Sequence, residues 1–161
     1  MVLQRYSIIV SKSTRDKVYF TPKKSVSQTV FLYCKMKIMT DKILTTQELA
    51  KRFNELAKQE KWFEIQDELF SEDVTSTDPA HSPYFGYAEG KAAVRRKGED
   101  FIKKIEDFHG ASTTEAVIGG NYFSVGREVD ITLQGFGRVQ INQIMLYEVK
   151  NGEIISEQFF Y

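Results

Sequence analysis

The chain has one cysteine, three prolines, one tryptophan and two histidines in 161 residues, and no excess charge, because 22 Lys and Arg balance 22 Asp and Glu. A lone Cys34 excludes an intramolecular disulfide framework and a cysteine-rich zinc site, and a reducing, cytoplasmic setting is expected. His81 and His109 are far apart and lack the i, i+4 spacing of a helical zinc site, so no metal centre is expected. No apolar run approaches the roughly 18 residues of a membrane span. No nucleotide- or flavin-binding motif is present, and cofactor-independent chemistry is the default. A small-molecule ligand is the expected partner, with no role for nucleic acid or membrane.

What is present describes a globular chain. Apolar residues make up 42% and charged residues 27%, and a chain of this length forms about one domain that buries roughly 70% of its unfolded surface. The neutral total conceals a split. Residues 1–38 carry eight Lys and Arg against Asp16 alone, whereas residues 39–161 carry 14 against 21. The basic segment is acid-poor, Ser/Thr-rich and without sustained periodicity. It reads as an extension outside the core fold, as a targeting segment or basic arm, or as extra strands. The folded domain is expected over 39–161.

Thr45 followed by Glu48 fits a capping box, and Leu49, Phe53 and Leu56 recur at i, i+4 and i+7 behind it. Trp62, Ile65 and Leu69 extend the pattern, so 46–70 reads as one broken helix or two successive ones. Pro79, Pro83, Gly86 and Gly90 follow a short strand near 73–77 and mark a long loop. A third helix is expected through Val94, Phe101, Ile105 and Phe108, ending near His109, with Lys91, Arg95, Lys103 and Lys104 on a solvated face. Gly98 falls on the apolar line, which suggests close approach of another backbone.

After residue 110 the period changes to two. Strands are expected at 112–118, 122–133, 138–149 and 153–161, the last pair joined by Asn151-Gly152, whose tolerance of positive φ suits a tight hairpin. Helices first and strands last predict an α+β fold, a curved antiparallel sheet wrapped over three helices. In the second strand Arg127 shares parity with Phe123, Val125, Val129, Ile131 and Leu133. If the pleat is unbroken, Arg127 points inward and needs a carboxylate, for which Glu157 on the last strand is available; a bulge at Gly126 would send it to solvent instead. Gln143 and Tyr147 interrupt the matching apolar row of the third strand, so Arg127, Gln143 and Tyr147 could line one pocket.

The run ELAKRFNELAKQEKWFEIQDELFSEDVTSTDPAHSPYFGYAEGKAAVRRKG and the closing YEVKNGEIISEQFFY resemble the nuclear transport factor two-like superfamily, in its SnoaL-like and ketosteroid-isomerase-like branch. The resemblance implies a cone with an apolar pocket at its open end and homodimers through the sheet. It also implies a catalytic carboxylate at Asp78, before Pro79. The two hydrogen-bond donors that complete the steroid isomerase site correspond to Phe53 and Met145 here, and neither side chain can donate, which argues against that reaction.

His81, three residues beyond Asp78, is the nearest candidate acid-base partner, with an unperturbed pKa near 6.5. Either residue is also at home on an ordinary loop, Asp78 as a turn former and His81 in solvent. Trp62, Phe63 and Tyr84 are candidate pocket walls. Two classes of function stay open: a small-molecule binder or acid-base enzyme of isomerase, cyclase or hydrolase type, and a non-catalytic dimeric module whose cone is filled by its own side chains.

Overall fold

A computed structural model describes residues 43–161, and these form one unit, Ile43–Tyr161. The expectations for residues 1–38 and for Cys34 fall outside the described residues. Thr45 caps helix α1 (Thr46–Ala57) with the anticipated box: the Glu48 amide donates to Thr45 Oγ1 at 3.2 Å, and the Thr45 amide donates to Glu48 Oε2 at 3.0 Å. A short link leads to α2 (Trp62–Leu69), which runs directly into β1 (Phe70–Thr77). A two-residue strand, β2 (Ala88–Glu89), precedes α3 (Lys91–Ile102). Among the described residues no helix is long and apolar enough to cross a membrane.

The remaining chain is β3 (Ile105–Thr113), β4 (Val117–Gly119), β5 (Tyr122–Leu133), β6 (Gly137–Lys150) and β7 (Glu153–Phe160). They join β1 and β2 in one seven-stranded sheet of order β2-β1-β7-β6-β5-β3, with β4 continuing along the β3 edge of β5. The sheet is mixed rather than wholly antiparallel, because β7 pairs β1 in parallel. The three helices cover its concave side. Leu49, Phe53 and Leu56 of α1 and Ile65 and Leu69 of α2 share one buried cluster with Phe123, Val125, Met145 and Tyr147 of the sheet. Burial of this kind contributes about 25 cal/mol per Å² of apolar surface, so the helix–sheet seam stabilises the fold.

Two expectations are corrected. The third helix ends at Ile102, so Ile105 and Phe108 stand on a strand and His109 terminates nothing; its Nε2 lies 2.8 Å from Thr132 Oγ1 on β5. Register shifts between Ile105 and Asp107 and between Phe108 and Gly110 let β3 turn both apolar side chains toward the same cavity. Gly98 meets a side chain rather than a backbone: a Cβ there would sit 3.3 Å from the Phe63 ring.

The β5–β6 register is continuous from Tyr122↔Glu148 to Leu133↔Gly137, with Gly126 opposite Ile144, so Arg127 faces inward. The interruption at Gly126 belongs to the other edge, where Thr114 separates β3 from β4 and its hydroxyl accepts the Gly126 amide at 2.9 Å. In β7 the two-residue alternation breaks, since Val149 pairs Ile154 and Glu148 pairs Ser156, leaving Ile155 as the extra residue. The hairpin at Asn151 and Gly152 has φ of 54° and 82°, as its sequence demands.

Candidate functional site

A cavity of about 500 Å³ lies between the concave face of the sheet and helices α2 and α3. Its walls are mainly apolar, with Phe63 and Ile65 from α2, Val94 and Phe101 from α3, and Ile141 and Met145 from β6. Ile102 and Phe108, each about half exposed, stand at its edge. Of the residues expected in a pocket, Trp62, Phe63, Asp78, Arg127, Gln143, Met145, Tyr147 and Glu157 line it.

Three others lie elsewhere. Phe53 is fully buried in the core beneath the cavity, 4.7 Å from the Tyr147 ring and 5.2 Å from the Phe123 ring. Tyr84 packs against Phe136 and Tyr161, with centroids 5.5 and 6.2 Å apart. His81 is exposed on the loop after β1.

Two polar clusters interrupt the apolar wall. The first gathers residues from β1, α3 and β7. Asp78 follows β1, its side chain only 1% exposed, and ion-pairs with Lys97; its other oxygen accepts from the Tyr161 hydroxyl at 3.1 Å. Lys97 also donates to Ser76 Oγ at 2.7 Å, and its ammonium lies 5.2 Å from the Phe159 ring centroid. Beside them Glu157, opposite Ser76 in the parallel register, is buried. Burial pushes its carboxyl up to about 7, and the negative charge of Asp78 adds to the rise, against a hydrogen bond from Ser76 and the positive charge of Lys97.

Tyr147, the partner of Glu157 across β6 and β7, is buried too, and its hydroxyl has the weak Met145 thioether at 3.9 Å. Desolvation, assisted by Glu157, raises that phenol well above its ordinary value, so it stays a neutral donor.

The second cluster corrects the expected partner of Arg127. The guanidinium engages Glu60, not Glu157: its two terminal nitrogens donate to the two carboxylate oxygens at 3.1 and 2.7 Å. It also donates to Thr113 Oγ1 at 2.9 Å and stacks 4.2 Å from the Trp62 ring centroid, while the Trp62 indole donates to Glu60 at 2.8 Å. Glu60 closes α1 in left-handed conformation, φ 55°, with the Lys61 amide bonded to Leu56 O and its own amide to Ala57 O. That is a Schellman ending, where glycine is the usual residue. Partial burial opposes ionisation of Glu60, yet the hydrogen bonds from Arg127 and Trp62 prevail and hold its carboxyl below the usual range.

Glu60 and Lys97 escaped the sequence reading. Nothing local marks Glu60, whose partner is 67 residues away. Lys97 left a signal, for it lies three residues after Val94 and four before Phe101 on the inner face of α3. Among the described residues, no group of three or more His, Cys, Asp or Glu side chains is placed to hold a metal ion.

The SnoaL-like domain family matches residues 44–161. No curated protein matches the chain significantly. Among solved structures, a putative SnoaL-like polyketide cyclase [carbohydrate phosphatase] from Mesorhizobium loti is 32% identical, with a TM-score of 0.69 over 73% of this chain and all of that one. An NTF2-like protein of unknown function from Burkholderia pseudomallei shares 15% identity and a TM-score of 0.58 over 72% of this chain and 89% of its own. A hypothetical protein with a ketosteroid isomerase-like fold from Catenulispora acidiphila, solved in complex with trimethylamine, shares 20% identity and a TM-score of 0.50 over 60% of this chain and 72% of its own. The last two likenesses concern the fold alone.

Proposed function

From its membership of the SnoaL-like family, to which this chain belongs, we propose that it binds a small, largely apolar organic molecule in the cavity and moves a proton on it without a cofactor. One observation carries the reading: a cavity of about 500 Å³ opens onto Glu157, a buried carboxyl that its surroundings push up to about 7. General acid-base catalysis works best when the group's pKa is close to ambient pH, and Glu157 meets that condition. Asp78 has both oxygens engaged, by Lys97 and by Tyr161, and acts through its charge on Glu157. Tyr147 is the neutral donor beside the carboxyl. It suits a developing oxyanion, the role left vacant at Phe53 and Met145.

A cone filled by its own side chains would have favoured a purely structural module, and the open cavity favours the ligand reading. Native mass spectrometry of the purified chain, with identification of co-purifying small molecules, tests it. A bound organic compound that is lost when Met145→Trp fills the cavity is the expected result. A chain that carries no compound and takes up none from a metabolite extract overturns the reading.

We also propose a homodimer through the outer face of the sheet. Ile144 and Phe160 are register partners there, 55% and 46% exposed, and Leu146 and Tyr122 share that face.

A further inference from the structure

We propose that Arg127 is the anchor for an acidic group of the cavity's ligand, and that Glu60 is an internal carboxylate holding the place that a ligand carboxylate takes. The inference rests on the cavity accepting a small molecule and adds the chemical class, a monocarboxylic acid with an apolar body.

The argument starts from an asymmetry within the ion pair. The Arg127 side chain is 9% exposed, whereas that of Glu60 is 44% exposed. A guanidinium so buried is costly to leave without an anion, but a half-exposed carboxylate returns to water with little penalty. Exchange of one carboxylate for another at the Arg127 fork is therefore close to balanced. An apolar body filling the cavity tips the exchange toward the ligand.

The fork is already fixed for such a partner. Trp62 stacks on the guanidinium and Thr113 takes one of its N–H groups, leaving the two terminal nitrogens presented side by side to both Glu60 oxygens. That bidentate arrangement matches any planar carboxylate. Glu60, Trp62 and Arg127 all line the cavity, so a group that replaces the Glu60 carboxylate lies in the same space as the ligand body. Glu60 itself stands on a link between two helices, in a backbone conformation that favours glycine. A side chain kept at such a position has a use for its carboxylate. At the opposite polar cluster the Lys97 ammonium is already engaged by Asp78 and Ser76, so Arg127 is the cation whose partner is exchangeable.

The test compares 2-naphthoate with its neutral analogue 2-naphthamide by calorimetry or ligand-observed NMR, on the wild-type chain, on Glu60→Gln and on Arg127→Met. Glu60→Gln keeps a carbonyl oxygen for Arg127 and an exposed surface position, and folding is checked by circular dichroism. The expected result is that Glu60→Gln binds naphthoate about tenfold more tightly with naphthamide unchanged, the direction in which removal of a competing anion acts. In Arg127→Met the preference for naphthoate over naphthamide disappears. If both compounds bind but Glu60→Gln leaves naphthoate affinity unchanged, Glu60 is not the competitor and the inference is overturned while the cavity reading stands. If neither compound binds any of the three proteins, both fall.

Discussion

Ser76 and Glu157 face one another across the parallel pair of β1 and β7, which sets a buried carboxyl beside a hydroxyl that already accepts a hydrogen bond from the Lys97 ammonium. The ammonium thus serves Ser76 and Asp78, and Glu157 is left with a hydroxyl and the charge of its neighbours. Its upward displacement follows from burial, which the Ser76 hydroxyl and the shared ammonium offset only in part.

The pH dependence of stability is the first consequence. Glu157 rises from an ordinary value of 4.5 to about 7, so between those values the folded chain holds a proton that the unfolded chain has released. The stability that the neutral carboxyl provides is present below this window and lost as pH rises through it. At about 1.4 kcal/mol per pH unit, the loss is on the order of 3 kcal/mol. Urea unfolding at about pH 5 and about pH 8 is expected to show a steep decline for the wild-type chain and a shallower one for Glu157→Gln. Equal declines would remove Glu157 as the cause.

Proton transfer can be read without the natural substrate. With 5-nitrobenzisoxazole, the Glu157 carboxylate would take the ring C–H proton as the N–O bond opens to a cyanophenolate. The rate is expected to rise through about pH 7 and to drop about 100-fold in Glu157→Gln. A rate that is the same in both proteins would assign the base elsewhere.

Asp78→Asn is expected to destabilise the chain by about 3 kcal/mol, because it strips a buried partner from Lys97. Adding Lys97→Met restores much of that loss, since a neutral pair has no charge to desolvate. Thermal unfolding of the single and double variants measures both effects, and a single variant as stable as the wild type would show the pair to be dispensable.

What the sequence disclosed, and what it did not, divides by range. Thr45 and Glu48 act within one turn, Asn151 and Gly152 within one hairpin, and the alternation of β5 and β6 within each strand; all were legible. The fate of Ile105 and Phe108 was not, because residues spaced i, i+3 and i+4 are satisfied either by a helix or by a strand with bulges, and both conformations deliver the side chains to the same cavity. Within the site, the inward direction of Arg127 followed from parity alone, given an unbroken pleat. Its partner did not, because Glu60 sits on a helix link whose distance from β5 is a property of the whole fold. The engagement of Asp78 by Lys97 and Tyr161 is equally non-local.

Gly152→Ala tests the packing of the hairpin on the segment before α1. At φ 82° an alanine is strained, and its Cβ would lie 2.8 Å from the Leu44 amide nitrogen. A loss of about 2 kcal/mol or more is expected in chemical denaturation. An unchanged midpoint would mean that the Leu44 segment moves aside freely.

Ile144→Lys tests the proposed dimer. Sedimentation is expected to give a dimer for the wild-type chain and a monomer for the variant, with unfolding behaviour little altered because the side chain is exposed. A variant that stays dimeric would place the interface on another surface.

The strand order gives β7 an unusual position: last of the described strands in sequence, it lies between β1 and β6. During synthesis, the half made of the helices with β1 and β2 and the half made of β3 to β6 have no backbone ladder between them until β7 leaves the ribosome. The nascent chain thus carries two open edges that only β7 can close, and a product cut short before Glu153 would be left with an unfilled slot at the centre of its sheet.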